Sequence, residues 1–353
     1  MKTTLYAKDA KNQIRVWSVK EASDGISIEH GVLGGQLQEK FEYIYEGLAT
    51  RTLEEQVKSR ADSRIGKKID SGYCRTLEEA ERNDRTNSLG FIRPMLAAKF
   101  DNVKNIDYDN LYYQHKYNGN RFLVTNHFGE MIAYSRQGKI IDTVPELLSY
   151  INIPEGMTID GEIYCHGESL QTVNSWVKKR QDNTLKLRFH AYDVAVDQPY
   201  SERIEILKSF NLNLYSSTVP THKYDGSTPI KQLMHQSISQ GYEGLILRQN
   251  DFGYESSKRS KSLIKVKHFH DDEFLIIDMM LSKDGIPTLR CITEDGVKFK
   301  AVAPGTMFNK DIIYNNRDNI GRYVHLEYSE LTKDGVPFHP NALSILTHKD
   351  ELK

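Results

Sequence analysis

Cysteine is scarce in this 353-residue chain, and so is net charge. Cys74, Cys165 and Cys291 stand singly, which excludes a Cys-x-x-Cys zinc site and any disulfide framework. Reduced thiols of this kind fit an intracellular setting. A formal net charge of −1 advertises no polyanionic partner, so binding of that sort has to come from local patches. No apolar run is long enough to cross a bilayer, and Met1-Lys2-Thr3-Thr4-Leu5-Tyr6 lacks the apolar core of a secretory leader. Internal repeats and low-complexity tracts are also missing. These absences together lead to the expectation of a soluble, cytoplasmic, monomeric protein with no membrane partner.

What is present is ordinary for a protein with real cores: 39% hydrophobic and 10% aromatic residues. The length exceeds one typical domain, so two or three compact units are expected. Residues 1–88 read as a small α+β unit. Arg15–Val19 and Ile26–His30 alternate like half-buried strands, and Leu53–Ile69 reads as a helix with Val57, Ala61 and Ile65 at helical spacing. The polar stretch 76–88 reads as a solvated helix or linker. Strand-rich sequence runs from Phe91 to Lys267, with helical patches near Pro145–Ile151 and Ile230–Gln240. Short strands from Glu273 onward, turning at Asp284-Gly285 and Asp295-Gly296, read as a small closed barrel.

The most informative stretch is Lys116-Tyr117-Asn118-Gly119-Asn120-Arg121. It lies between the apolar flanks Tyr112-Tyr113 and Phe122-Leu123-Val124, so the lysine ends one strand and a tight turn leads to the next. Gly119 frees the backbone to pass close to a ligand. A lysine so placed is a nucleophile once its surroundings favour the neutral amine, or else a solvated hairpin residue. Lys283-Asp284-Gly285 and Lys333-Asp334-Gly335 look similar but lack the arginine and the flanks, and both read as turns.

Further motifs follow in order. Ser135-Arg136-Gln137-Gly138-Lys139 sets cations beside a glycine turn. Thr158-Ile159-Asp160-Gly161-Glu162-Ile163-Tyr164 places two acids inside an apolar strand, which is costly unless they meet cations or donors. Phe189–Val194 offers aromatics that can stack on a base or fill a core. Glu243-Gly244 opens another strand, and hard carboxylates at separate strand ends can hold Mg²⁺. Lys265 and Lys267 share one strand face, and Lys258, Arg259 and Lys261 precede them in a stretch whose one acid is Glu255.

Taken together these motifs resemble the ATP-dependent DNA ligases of the covalent nucleotidyltransferase superfamily, in a compact, viral-type form. The pattern K-x-D-G-x-R stands at Lys116–Arg121 with one change, D-G-E at Asp160–Glu162, E-G at Glu243-Gly244, and K-x-K at Lys265 and Lys267. Arg93-Pro94-Met95-Leu96-Ala97 is similar to the start of their adenylation domain. The resemblance implies an α+β fold in three parts: residues 1–88, a nucleotidyltransferase domain over 89–268 built of antiparallel sheets with helices, and an OB-fold over 269–353. The first part resembles a WGR domain, although the naming tripeptide is replaced by His30-Gly31-Val32.

The resemblance further implies sealing of nicked duplex DNA with ATP and Mg²⁺, for which Mn²⁺ can substitute. Lys116 would take AMP. Gln114 would meet the adenine edge, Tyr192 would stack on the ring, and Arg121 and Glu162 would hold the ribose region. Lys265 and Lys267 would neutralise the α-phosphate, Glu243 and Glu162 would bind the metal, and Arg136, Lys258, Arg259 and Lys261 would touch DNA. Two positions depart from the family pattern: Asn118 stands where aspartate is usual, and Phe338 where an arginine is expected. Asn118→Asp is expected to keep self-adenylylation. An RNA ligase, a capping-type enzyme and a nonenzymatic DNA-end binder are the competing readings.

Overall fold

A computed structural model describes all residues except 1, 10–11, 45–49, 83–85, 88, 150, 211, 213, 283–284 and 350–353. Its amino-terminal unit is an antiparallel meander of four strands, Lys2–Lys8 (β1), Ile14–Ala22 (β2), Gly25–Val32 (β3) and Leu37–Tyr43 (β4). Leu5, Trp17, Val19, Ile26 and Ile28 form its apolar face, and helix α1 (Leu53–Asp70) buries Val57 and Ala61 against them. The helix starts at a capping box: Thr52 accepts from the Glu55 N–H and Glu55 accepts from the Thr52 N–H. Glu54 and Glu55 in its first turn and Lys67 and Lys68 in its last suit the helix dipole. A short helix, α2 (Leu77–Arg82), buries Ala80 within the polar stretch.

The central region contains, in chain order, β5 (Leu96–Lys99), β6 (Leu111–Lys116), β7 (Asn120–His127), β8 (Glu130–Tyr134), β9 (Thr158–Tyr164), α3 (Leu170–Lys178), β10 (Arg188–Val194), α4 (Tyr200–Ser209), β11 (Ser216–Thr218), β12 (His222–Lys223), α5 (Ile230–Ser239), β13 (Gly244–Gln249) and β14 (Arg259–Lys267). They make two five-stranded sheets, ordered β11-β10-β9-β7-β8 and β12-β6-β13-β14-β5. The first carries the larger core, with Phe122, Ile159, Ile163 and Phe189 packed near Trp176 and Leu207 from the helices. The second buries Leu111, Leu245, Leu247 and Ile264 with Met234 of α5.

The last region is a closed barrel of β15 (His270–Leu281), β16 (Pro287–Ile292), β17 (Lys298–Val302), β18 (Tyr323–Tyr328) and β19 (Asn341–Leu346), ordered β15-β16-β17-β19-β18. Helix α6 (Met307–Asn315) lies between β17 and β18 in the chain. Ile276, Leu289, Cys291, Val324 and Leu326 fill the barrel, so Cys291 is a core residue. The molecule is thus α+β.

Several local expectations need correction. Among the described residues, the patch near Pro145–Ile151 holds a 3₁₀ turn, Pro145–Leu147, because the Leu148 N–H closes on the Pro145 carbonyl three residues earlier at 3.0 Å. Helices α3, α4 and α6 fall in stretches read as strands or loops. The turn at Lys333–Gly335 is present, with Gly335 N–H donating to the Thr332 carbonyl at 2.9 Å. Asp295-Gly296 turns likewise, Gly296 N–H reaching Thr293 O at 3.0 Å. Lys283 and Asp284 lie outside the described residues, as does position 88 at the first expected boundary.

Candidate active site

The Lys116–Arg121 stretch joins the two central sheets: Lys116 ends β6 in one, and Asn120 begins β7 in the other. It is therefore a crossover between layers and not a hairpin. Gly119 serves this crossing. A Cβ there would lie 2.1 Å from the Ile163 carbonyl oxygen of β9, so the glycine allows contact with protein backbone where a ligand had been expected. Tyr117 anchors the turn, stacked on His190 with ring centres 4.7 Å apart and edge-on to Tyr164 at 5.0 Å.

Strand register then fixes the neighbours. On β6, β13 and β14, Ile246 pairs with Gln114 on one side and Lys265 on the other, while Gly244 pairs with Lys116 and Lys267. Two cross-strand rows thus converge at one end of the sheet, with Glu243 just before β13. Glu243 receives Lys116 Nζ on Oε2 and Lys267 Nζ on Oε1, the latter at 3.1 Å. Burial acts to raise this carboxyl, but the two ammonium groups outweigh it and hold it below the usual carboxylate range. Lys265 is pulled down from the ordinary lysine value by burial and by the Lys267 and Lys116 cations.

The other sheet supplies the facing wall. Arg121 pairs in register with Glu162 across β7 and β9, and its guanidinium forks onto Asp160 and reaches the Met95 carbonyl at 2.9 Å. Tyr254 also donates to Asp160, at 2.5 Å. Tyr192 donates to Glu162 at 3.4 Å, and the Arg121 and Arg248 guanidinium groups each lie 5.3 Å from its ring. Burial pushes the Glu162 carboxyl up to about 7, against the pull of Lys116 and Arg121.

Between these walls lies a cavity of about 710 Å³, lined by Gln114, Lys116, Arg121, Glu162, Tyr192 and Lys265 and extending to Arg136 and Arg259. Eight of the expected residues therefore meet at one space. Glu243 and Lys267 adjoin it through their ion pairs. Lys258 and Lys261 do not line it: Lys258 lies 3.4 Å from Glu255, and Lys261 is exposed.

A buried charge network behind Gln114 went unread in the sequence. Arg248 Nε donates to Gln114 Oε1 at 2.9 Å and its Nη1 to Asp193 at 2.5 Å, while Arg203 Nε donates to the same aspartate at 2.7 Å. Gln114 Nε2 donates to Thr221 at 2.9 Å. The Gln114 amide is oriented by these bonds, and Ile246 and Leu263 give the cavity an apolar side. Arg248 stands inside the apolar strand β13, which Glu243 precedes, and a charge there is the signal that could have found it.

The cleft thus lies between two sheets, with Lys116 held by the Glu243 carboxylate and with Lys265, Lys267 and Arg121 close by. Residues 94–267 match the family described as the ATP dependent DNA ligase domain. The DNA ligase of African swine fever virus is 27% identical over 304 residues, covering 74% of this chain and 70% of that one. A DNA ligase of Methanocorpusculum labreanum is 26% identical over 183 residues, 46% of this chain and 33% of its own. Among solved structures, a Lig E DNA ligase superposes with a TM-score of 0.58 at 23% identity, covering 72% of this chain and 98% of that one. Residues 94–267 of the chain belong to the ATP-dependent DNA ligase domain family.

Proposed function

We propose that this ligase seals nicks in duplex DNA through an AMP carried on Lys116. The observation that supports it most is the placement of Lys116 Nζ at Glu243, beside Lys267 and at the edge of the cavity lined by Lys265, Arg121 and Glu162. In the first step the neutral amine attacks the α-phosphorus of ATP, forming a P–N bond and expelling pyrophosphate. A 5′-phosphate oxygen of the nick then takes the AMP, forming a pyrophosphate link and freeing Nζ. Last, the 3′-hydroxyl attacks that 5′-phosphorus and AMP leaves. Such transfers depend on positioning and on neutralising negative charge, which is why cations dominate the site.

Placement supports the following roles. Lys116 has to leave Glu243 and lose a proton before its lone pair is available. Lys265 and Lys267 neutralise the α-phosphate, Arg121 and Glu162 hold the ribose, and Tyr192 with Ile246 brackets the base while Gln114 meets its edge. Glu243 and Glu162 suit Mg²⁺, an ion that takes only one or two carboxylates and fills its shell from substrate phosphates and water. Among the described residues no group of three or more acids, histidines or cysteines forms a full protein cage. The bound ion would neutralise charge on the phosphates.

Arg136 and Arg259 extend the cavity toward the nick phosphate. The half-buried Lys258 and the exposed Lys261 add contacts to the DNA backbone that carry little sequence information. We further assign residues 89–268 as the nucleotidyltransferase domain, the barrel as an OB-fold, and residues 1–88 as a WGR-like grip on the duplex. The test is joining of a 5′-labelled nicked duplex with ATP and Mg²⁺. Wild type should seal it, and Lys116→Ala should not. Lys116→Ala should still seal a nick whose 5′-phosphate already carries AMP. Equal sealing of the plain nick by both proteins would refute the assignment.

A further inference from the structure

Asn118 stands two residues after Lys116, where the resembling family carries aspartate. Its side chain does not turn inward to its own loop. Nδ2 donates to Glu330 Oε2 at 3.3 Å, a bond to a residue 212 positions later in the chain. Glu330 lies just past β18, in the barrel region, and both side chains are half-buried.

The acid is presented on a built hairpin. The Glu330 carbonyl accepts from the Phe338 N–H at 2.8 Å, Leu331 bridges Pro337, and Gly335 N–H closes the tip on Thr332 at 2.9 Å. Phe338, where an arginine was expected, packs against the next ring, His339, with centres 3.9 Å apart. No cation stands at that position to neutralise Glu330.

We infer that the Asn118–Glu330 contact seats the barrel on the nucleophile's turn, and that position 118 is an amide because the barrel presents a carboxylate to it. An amide N–H facing a carboxylate is a charge-assisted hydrogen bond. An aspartate would instead set two carboxylates at about the same separation in a partly desolvated site, where like charges repel strongly. The departure at 118 and the acid at 330 are thus two halves of one feature. Asn118 is a positioning residue: it acts on the reaction through the turn that carries Lys116. The inference rests on the assignment of Lys116 as the nucleophile.

The test compares four proteins, wild type, Asn118→Asp, Glu330→Gln and the double variant Asn118→Asp/Glu330→Gln, by the rate of self-adenylylation with α-labelled ATP and Mg²⁺. Asn118→Asp should retain activity but label about tenfold more slowly, a penalty of about 1.4 kcal/mol. The double variant should recover to within about threefold of wild type, because the amide introduced at position 330 would then donate to the carboxylate at 118. The Asn118→Asp defect should also shrink at high ionic strength. Thermal melting of all four proteins checks that the rates report the contact and not unfolding. Asn118→Asp labelling as fast as wild type, or a double variant no faster than Asn118→Asp alone, would overturn the inference. Failure of wild type to label would overturn the assignment of Lys116 instead, so the two failures are distinguishable.

Discussion

At the scale of single residues, the cleft is a set of charges held away from their ordinary behaviour. Glu162 is the clearest case, with a carboxyl raised by burial from 4.5 to about 7. Between those values the folded protein holds a proton that the unfolded chain has released. The associated stability is complete below about 4.5 and is lost as pH rises through about 7. Glu162→Gln removes this loss, so the variant should gain on wild type by up to about 3 kcal/mol between pH 5 and pH 8. Denaturant unfolding of the nucleotide-free proteins measures it, and parallel curves for the two would contradict it. That Lys116, Arg121, Glu162, Tyr192 and Lys265 would share one cavity was legible because each sits in a short motif whose residue types suggest a common chemistry. Asp193, Arg203 and Arg248 were not, because their pairing spans up to 55 positions and depends on which strands become neighbours.

At the scale of elements, the crossover from β6 to β7 is the piece on which the site depends. Gly119 fits there only because it lacks a side chain, since Ile163 O and Glu162 Cγ would lie 2.1 and 2.9 Å from a Cβ. Gly119→Ala forces β7 and β9 apart or twists the turn. It should cost about 2–4 kcal/mol of stability and slow self-adenylylation, as read by denaturant unfolding and by labelling. Unchanged stability would show that the turn relaxes freely. The strands at Arg15–Val19, Ile26–His30 and Thr158–Tyr164 and the helix from Leu53 were readable, because apolar alternation and helical spacing are local signals. Helix α3 was not, although Ser169 caps it and Val173, Trp176 and Val177 are buried on one face. It spans only nine residues, so its period competes with the strand-like stretches around it.

At the scale of the whole molecule, three folded parts divide the work proposed here: a central cleft that carries AMP, a barrel that meets its loop at Asn118, and an amino-terminal sheet and helix. No described helix is long and apolar enough to cross a membrane. The amino-terminal unit touches the central one through Lys139 and Asp70, 3.8 Å apart, and through the approach of Arg93 to Gly72. Neither contact reaches Lys116. Deleting residues 1–88 should therefore raise the KM for nicked DNA more than it slows self-adenylylation, and equal damage to both would make this unit a folding element. Order along the chain was legible here because the motifs fall in sequence. The seat of the barrel on the turn was not, since one hydrogen bond between distant loops leaves no local pattern.

The measurement that tests the account most directly is peptide mapping by mass spectrometry after incubation with ATP and Mg²⁺. The account predicts one adenylyl group, located on the peptide containing Lys116 and lost in Lys116→Ala. An adenylyl group on another residue, or none on the wild-type protein, would contradict it.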